Sequence, residues 1–391
     1  MITVTEDYRN AIYAPIRQID ARVHFTLFGE TKTYYDDRII RFNIVEERET
    51  VADTLPANEI SLTLDNLDNE FNLLSLSNVD QVLASRPTIE IEFGLVYDDS
   101  VFLTFYQADS DGESTEWIPM GTFYLAEWKN EREAKTITLV ARDNLDYLSN
   151  TPYENTMFEG NMYQLAEDVF IKAGVTDYEI DNNLKTVITS GFKEKLDSRT
   201  ALQHIGIATR SAIYQDRYGI MVIKPFEVLD ASSNYLTFPT QDYYHFGSLY
   251  PLVTSGFGMR NIDFDDMYEE PEITLDKSIY SVSINIYDGE ETREKSYINN
   301  EINGRYGDSF SLDNPLIVND SMADSVADWI IKESKYNAIY KVNWRQNPAL
   351  ECTDVVIIED GMNAMKQSRI YRQEYAYEGY LTGITESRGG V

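Results

Sequence analysis

The sequence predicts a mainly β, multidomain protein with smaller α+β domains. Apolar and polar residues alternate in many short runs, which is the period of a strand with one buried face. The chain of 391 residues holds 28 Tyr and 17 Phe, and these residue types favour pleated surfaces. Helical spacing of apolar residues is confined to three segments. A chain of this length has room for two to four domains, each with its own core.

Residues 1–150 are predicted to form a first tube-like β-barrel domain with an N-terminal arm. The arm, or a short helix, occupies residues 1 to about 20. Alternating apolar residues then mark three strands: Val23, Phe25 and Leu27; Ile60, Leu62 and Leu64; Ile89, Ile91, Phe93 and Leu95. Residues 117–128 and 135–142 are predicted to pair as a hairpin. Five or more antiparallel strands in this region predict a closed or nearly closed barrel.

Residues 151–225 are predicted to form a small α+β domain. Asn161 is a suitable N-cap, Gln164 completes a capping box, and Gly174 is a suitable helix stop. A second helix begins near residues 197–198 and carries one apolar stripe: Ala201, Leu202, Ile205 and Ala208. A hairpin turned at residues 216–219 follows this helix.

Residues 226–391 are predicted to form a second β-barrel region with an attached peripheral unit and a C-terminal hairpin. One strand alternates apolar residues before a turn at residues 288–289: Tyr280, Val282, Ile284 and Ile286. A third helix begins at residue 320 or 321 and is expected to bury one face: Met322, Val326, Trp329 and Ile330. A strand with Tyr340, Val342 and Trp344 begins the C-terminal set.

The charge balance argues against partners that bind by neutralising phosphates. The chain has 33 Lys and Arg against 66 Asp and Glu, a net charge of −33. Sequence-specific nucleic-acid binding and attachment to an anionic membrane both need a basic surface. Two interpretations of the acidity stay open. An acidic wall would let DNA slide past without sticking, and a high charge also keeps an abundant protein soluble.

Cysteine usage and hydropathy predict a chain that is made in the cytoplasm. Cys352 is the single cysteine, so no intrachain disulfide is expected, and its thiol is predicted to be buried and inert. The N-terminus lacks the basic and apolar segments of a signal peptide. No stretch approaches the roughly 20 apolar residues of a membrane span.

No residue pattern predicts a catalytic, cofactor or metal site. His24, His204 and His245 have no metal-ligand spacing, so ordinary packed or surface positions are predicted for them. The acidic runs at residues 109–113 and 263–270 are predicted to be polar loops, since the first lacks the order of a calcium loop. Residues 256–258 lack the third glycine of a dinucleotide fingerprint. The chain is therefore predicted not to be an enzyme.

Two C-terminal motifs resemble a known family. Residues 344–356 have a W-R-x-x-P-x-L-E-x-x-D-x-V pattern, which predicts a strand, an Asn-Pro corner and a second short strand. Residues 371–383 contain Y-A-Y-E-G-Y, which predicts a long hairpin with a tight turn at the glycine. Together they resemble the end of the tail hub, or baseplate hub, proteins of long-tailed phages. The segment L-D-N-x-D-N-x-F-N at residues 64–72 is also similar to that family.

The resemblance implies a structural role in a phage tail or a phage-derived tail particle. Such hubs are homotrimers, in which two barrels from each chain make a pseudo-sixfold ring between the tail tube and the tip. The implied partners are the tail tube protein, the distal tail protein, the tape measure protein and a spike or fibre, with DNA passing through the lumen. The implied location is the virion, after synthesis in the host bacterial cytoplasm. Peptidase or lysozyme modules follow the hub domains in related proteins, and the sequence ends at residue 391 without such a module.

Two alternatives belong to other functional classes. A carbohydrate-binding tail module would present shallow Trp or Tyr platforms to host cell-wall glycans, on a monomer that forms no ring. A wall hydrolase would need a pair of carboxylates across the scissile bond, and the sequence favours no particular pair. The hub-like hairpin and the order of the domains favour the hub over both.

Overall fold

The computed structural model describes residues 2–49, 54–71, 82–98, 113–131, 133–155, 158–226, 260–289, 291–359 and 365–390. A short helix, α1 (Glu6–Ala11), precedes seven antiparallel strands: β1 (Gln18–Leu27), β2 (Glu30–Tyr35), β3 (Ile39–Glu47), β4 (Glu59–Asp65), β5 (Thr88–Asp98), β6 (Glu113–Glu131) and β7 (Thr136–Arg142). The strands predicted from alternation are all present, because one face of each is buried. β6 and β7 form the predicted hairpin.

Helices and short strands follow: α2 (Asn144–Ser149), β8 (Pro152–Tyr153), β9 (Gly160–Asn161), α3 (Met162–Ala173), β10 (Tyr178–Ile180), β11 (Ile188–Thr189), β12 (Leu196–Asp197), α4 (Ser198–Thr209), β13 (Ser211–Gln215) and β14 (Met221–Pro225). The capping box of α3 is present, with the Asn161 and Gln164 side chains each bound to the other's backbone N–H. Gly174 ends α3 in the left-handed conformation, at φ 75°. The two helices and the hairpin predicted here are therefore confirmed.

The remaining elements are β15 (Arg260–Ile262), β16 (Glu272–Leu275), β17 (Ile279–Asp288), β18 (Glu291–Ile298), β19 (Asp308–Asp313), α5 (Asp320–Glu333), β20 (Ala338–Trp344), β21 (Val355–Glu359), β22 (Met365–Tyr377) and β23 (Leu381–Gly389). β17 is the centre of a separate three-stranded sheet that α5 covers. The predicted turn between β22 and β23 is present, with Gly379 at φ 76°. Helix α5 begins where predicted but is capped by Asn319, and its Met322 is only half-buried.

One strand joins the N-terminal and C-terminal sheets. Thirteen of the described strands form one sheet. Eleven of them follow the order β16-β20-β23-β22-β3-β4-β7-β6-β5-β1-β2, and β21 and β15 form a branch from β22. β22 is 13 residues long, and one of its edges pairs first with β21 and then with β3. A register shift between Ile370 and Arg372, next to the change of partner, marks a bulge in its pairing with β23.

Two β cores lie along this shared sheet. The first includes Phe42, which stacks on Tyr377 at 5.2 Å and lies 5.4 Å from Phe93, measured between ring centroids. The second surrounds Trp344, which is 1% exposed and whose Nε1 donates to Thr385 Oγ1 over 2.9 Å. Trp344 therefore faces inward, as the sequence predicts.

The mainly β fold is confirmed, together with a large antiparallel sheet and few helices. Among the described pairings, β2 bonds to β1 alone and β16 to β20 alone, so the sheet is open at both ends. The two barrels remain a prediction. The domain boundaries at residues 150/151 and 225/226 also remain a prediction.

Candidate functional site

The segment that carries the W-R-x-x-P pattern is a buried loop between β20 and β21. We call residues 345–354 the junction loop. Asn347 Oδ1 accepts a hydrogen bond from the Ala349 N–H over 3.0 Å, which closes a turn around Pro348. Gln346 and Thr353 have positive φ values of 63° and 83°, so the loop turns sharply at both ends. The backbone of a buried loop needs hydrogen-bond partners inside the protein. The partners of this loop come from several distant segments of the chain.

The N-terminal arm supplies the first set of partners. The Ile2 N–H donates to the Ala349 carbonyl over 3.1 Å. Tyr8 Oη donates to Asn347 Oδ1 over 3.3 Å, and Asn347 Nδ2 donates to Tyr13 Oη over 3.1 Å. The arm predicted at residues 1 to about 20 is therefore packed against a loop more than 330 residues later in the chain.

Four charged side chains meet beside the junction loop, and we call them the buried ion cluster: Glu46, Arg48, Arg217 and Glu351. Glu46 binds both arginines, with its carboxylate oxygens 3.1 Å from Arg48 Nη2 and 2.9 Å from Arg217 Nη2. Arg48 Nη2 also lies 3.8 Å from Glu351 Oε1. Glu46 and Arg48 come from β3 and its end, Arg217 from the turn between β13 and β14, and Glu351 from the loop itself.

Arg217 links the α+β region to the junction loop. Its Nη2 donates to the Leu350 carbonyl over 2.6 Å, and its Nη1 donates to the Pro348 carbonyl. Tyr375 Oη accepts from Arg217 Nη2 over 3.0 Å and donates to the Leu350 carbonyl over 2.9 Å. Three separate regions of the chain are thus fixed by one guanidinium.

Arg217 and Glu351 are held in their charged forms. Burial opposes the charge of Arg217, but Glu46, Tyr375 and Glu351 together more than offset this and raise the pKa of Arg217. Burial also works against ionised Glu351, yet Arg217 and Arg48 together lower the pKa of that carboxyl. Glu46 pairs with Arg48 and Arg217, and Arg48 also donates to the Cys352 carbonyl. This arrangement supports packing of the regions against one another.

Cys352 is fully buried, as predicted. Its Sγ donates to the Glu46 carbonyl over 3.3 Å, and its N–H donates to Glu46 Oε1 over 3.2 Å. Burial, and next the negative charge of Glu46, raise the pKa of the thiol well above its usual range. A buried, protonated thiol is a poor nucleophile.

The two described histidines lie on different elements, His24 on β1 and His204 on α4. His24 Nδ1 lies 2.8 Å from Thr33 Oγ1, and its Nε2 lies 3.0 Å from Glu92 Oε2. Burial lowers the pKa of His204, whose ring packs 6.0 Å from that of Phe192. His245 lies outside the described residues. Within the described ranges, no three His, Cys, Asp or Glu side chains are grouped to hold a metal ion.

The acidic run at residues 263–270 is only partly a polar loop. Asp266 is buried and pairs with Arg345 of the junction loop, 3.3 Å from its Nη1. Burial, then the charges of Asp266 and Glu359, raise the pKa of Asp263 to about 6. Residues 109–112 of the other acidic run and the glycines at 256–258 lie outside the described residues. No helix in the described part of the chain is long and apolar enough to cross a membrane.

The buried ion cluster was not predicted from the sequence, although the sequence pattern indicates burial for two of its four residues. Phe42 and Ile44 face the core, so a period of two places Glu46 and Arg48 on the same inward face. Arg217 gave no such signal, because it stands in a hairpin turn that reads as exposed.

Comparison with solved structures gives the relatives of this fold. No protein-family model and no curated protein matches the sequence. A tail protein from Neisseria meningitidis MC58 superposes with a TM-score of 0.58 at 8% identity, over 94% of this chain and 96% of that one. The 43 kDa tail protein of prophage MuSo2 from Shewanella oneidensis gives 0.54 at 10% identity, over 94% and 98% of the two chains.

A prophage tail protein from Listeria monocytogenes EGD-e gives a TM-score of 0.52 at 9% identity, over 94% of both chains. The identities are low, so the similarity concerns the fold. It spans nearly the whole of each protein compared. The likeness to phage tail proteins predicted from the C-terminal motifs is thereby confirmed, and this chain has the fold of these three tail proteins.

Proposed function

We propose that this chain is a non-enzymatic structural component of the tail hub, or baseplate hub, of a phage or a phage-derived tail particle. The observation that carries the proposal is the end-to-end similarity of fold, over 94% of this chain, to tail proteins from three bacteria. The buried ion cluster adds support, because it fixes several regions into one body.

In the proposed assembly, three copies form a ring with pseudo-sixfold symmetry. Each copy contributes two barrels, one built around the core of Phe42 and one around the core of Trp344. Both cores flank the shared strand β22, which would hold the two barrels of one chain at a fixed spacing. The ring would match the tail tube on one side and a threefold tip on the other.

The sheet edges that have no second partner among the described strands support contacts between chains. β16 is exposed along its length, with Ile273 at 45% and Leu275 at 65% exposure. An unpaired edge with apolar side chains is a liability in a free monomer. In the ring, neighbouring chains would cover this edge.

The proposed partners follow from this place in the tail. They are the tail tube protein, the distal tail protein, the tape measure protein and a spike or fibre, with DNA passing through the lumen. The net charge of −33 is compatible with a duct that does not hold DNA. The protein would be made in the host cytoplasm and would act in the virion without a cofactor.

The test is the mass of the purified protein by light scattering, with negative-stain imaging of the same sample. We expect a particle of about three times the 45.0 kDa chain mass, seen as a ring with a central hole. The double variant Ile273→Lys/Leu275→Lys should dissociate the ring, because two charges on the edge would be buried unpaired.

Ile188→Lys is the matched control, since Ile188 is 70% exposed and lies outside the large sheet. This variant should assemble like the wild type. A monomer at every concentration would contradict the ring, and a monomer that binds cell-wall polysaccharide would favour the carbohydrate-binding module.

A further inference from the structure

A cleft of about 600 Å³ lies between the N-terminal arm, the loop before β16 and the turn between β22 and β23. Three large apolar side chains line it and are exposed to solvent: Ile16 at 91%, Tyr268 at 54% and Tyr380 at 64%. Single exposed apolar residues are ordinary. Three that converge on one concave surface from distant parts of the chain indicate an interaction site. We call it the tyrosine cleft.

The two tyrosines stand on backbone that the fold holds in place. Tyr380 follows Gly379 in the tight turn, whose neighbours Tyr377 and Leu381 are buried. The N–H of Tyr268 donates to the Asn343 carbonyl of β20 over 2.9 Å. Each ring therefore projects from a fixed position, which reduces the entropy lost when a partner binds.

Ile16 is fixed from both sides. The Ala14 carbonyl accepts from Arg345 Nη2 over 2.7 Å. Arg17 Nη1 donates to the carbonyls of Ile12, over 3.1 Å, and Gln346, over 2.7 Å. The arm is thus attached to the junction loop on each side of Ile16, while the Ile16 side chain itself is left in solvent.

With Asp266, which pairs with Arg345, three carboxylates stand against two guanidinium groups at the cleft. Arg17 and Arg345 line it, but both guanidinium groups bind backbone carbonyls, and Arg345 also pairs with Asp266. Asp20 and Asp36 line the cleft as well, and Asp36 is exposed.

Each of these two carboxylates keeps binding capacity. Asp20 Oδ1 accepts from Gln18 Nε2 over 3.0 Å. Asp36 Oδ1 accepts from Tyr377 Oη and from the Ala21 N–H, both over 2.8 Å. A carboxylate has about four lone-pair sites, so both side chains can accept further hydrogen bonds from a cation.

We propose that the tyrosine cleft binds an extended peptide segment of a different protein, in which Lys or Arg stands beside an aliphatic or aromatic residue. The apolar side chain would pack among Ile16, Tyr268 and Tyr380, and the cation would bind Asp20 and Asp36. A neutral glycan fits less well, since Ile16 offers no flat face and the carboxylates favour a cation. The proposal goes beyond the ring and does not depend on it.

The experiment selects peptides from a displayed library of random 12-residue sequences. Selection uses the purified full-length protein, with counter-selection on the variant Tyr268→Ala/Tyr380→Ala. Both side chains are exposed, so the variant should fold, and its melting curve checks this. Enriched peptides should carry Lys or Arg next to an apolar residue. Fluorescence anisotropy should show that they bind the variant at least 10-fold more weakly.

Two further variants locate the contact. Asp20→Asn should weaken the same peptides several-fold, and the loss should disappear in 0.5 M salt. Tyr306→Ala is the matched control, because Tyr306 is 75% exposed and does not line the cleft, and it should bind like the wild type. Enriched peptides without basic residues, or no peptide that distinguishes the variant from the wild type, would overturn the proposal. So would a neutral wall polysaccharide whose binding is lost in the tyrosine variant.

Discussion

Two of the ion networks in the described residues are similar in size and lie in opposite surroundings. In the buried ion cluster, the side chains of Arg217 and Glu46 are 3% and 6% exposed. On the surface, Arg293 and Lys295 of β18 bind Asp320 of α5 over 2.7 and 3.1 Å, and the exposures of these side chains range from 33% to 51%. We call these three residues, with Asp324, which also binds Lys295, the surface ion network.

The difference shows that contact distance alone does not measure what an ion pair contributes. The surface distances are as short as the buried ones. Water can solvate a surface carboxylate that loses its partner, so the loss is small. Inside the protein, a charge that loses its partner stays in a medium of low polarity, and the folded state becomes less stable. The buried ion cluster should therefore control the stability of the molecule, and the surface network should not.

Arg217→Met should have the largest effect. The substitution removes one of the two arginines that bind Glu46, and it removes the donor to two carbonyls of the junction loop. Breaking one member of a buried ion group costs about 3–5 kcal/mol. The measurement is the free energy of unfolding in urea, followed by fluorescence.

Lys224→Met is the control for this substitution, because Lys224 is an exposed cation on the strand that follows the same turn. It should leave the unfolding free energy unchanged within error. Adding Glu46→Gln to Arg217→Met should recover part of the loss, since it removes a buried carboxylate that has lost one of its two arginines. A loss in Arg217→Met no larger than in Lys224→Met would show that the cluster is not what holds the regions together.

Trp344→Ala tests the contribution of apolar packing next to the junction loop, where Arg217→Met tests the contribution of charge. The indole is the largest fully buried side chain in the described residues and makes one hydrogen bond, to Thr385. Its removal should cost about 3–5 kcal/mol of unfolding free energy through the cavity it leaves. Trp344→Phe should cost clearly less. An unchanged melting curve for the alanine variant would contradict the inward orientation of this strand.

The pH dependence of the unfolding free energy tests the acidic run at residues 263–270, which lies beside the junction loop. Burial, Asp266 and Glu359 raise the pKa of Asp263 to about 6, from an ordinary value of about 4. The folded state thus binds this proton more tightly than the unfolded state. The resulting stability is present below about pH 4 and is lost as the pH rises through about 6.

Asp263→Asn should remove this loss. Asp263 is partly exposed, so after allowance for solvent screening the variant should exceed the wild type by about 1 kcal/mol at pH 7.5 and match it at pH 4. Asp265→Asn, at an exposed neighbouring position, is the control and should show little difference between the two pH values. An Asp263→Asn variant that gains nothing at pH 7.5 would show that the carboxyl is better solvated than its position suggests.

The parts of the fold that depend on local period were predictable. Strands with one buried face, the capped helix α3 and the turn at Gly379 all follow from spacing or from one residue's conformational range. The pairing of β22 with β3 was not predictable, because it joins positions more than 320 residues apart and no local pattern specifies a long-range partner.

The candidate sites also differ in whether local spacing or long-range contacts determine them. Glu46 and Arg48 could have been found, since they continue the inward face of β3. Arg217 and the tyrosine cleft could not, because each depends on which segments meet in three dimensions. The W-R-x-x-P motif illustrates the distinction. Its residues carry the family resemblance, yet most of them face inward and stabilise the junction loop.

Lys295→Ala in the surface ion network should have the smallest effect. The lysine bonds to Asp320 and Asp324, and together with Arg293 it lowers the pKa of Asp320 to about 2. These side chains are each at least 33% exposed, so both carboxylates remain hydrated after the substitution. The melting temperature near pH 7 should equal that of the wild type within error, and 0.5 M NaCl should change neither protein. A loss comparable to that of Arg217→Met would show that burial is not what separates the two networks, and the cost of the Arg217 substitution would then need another cause.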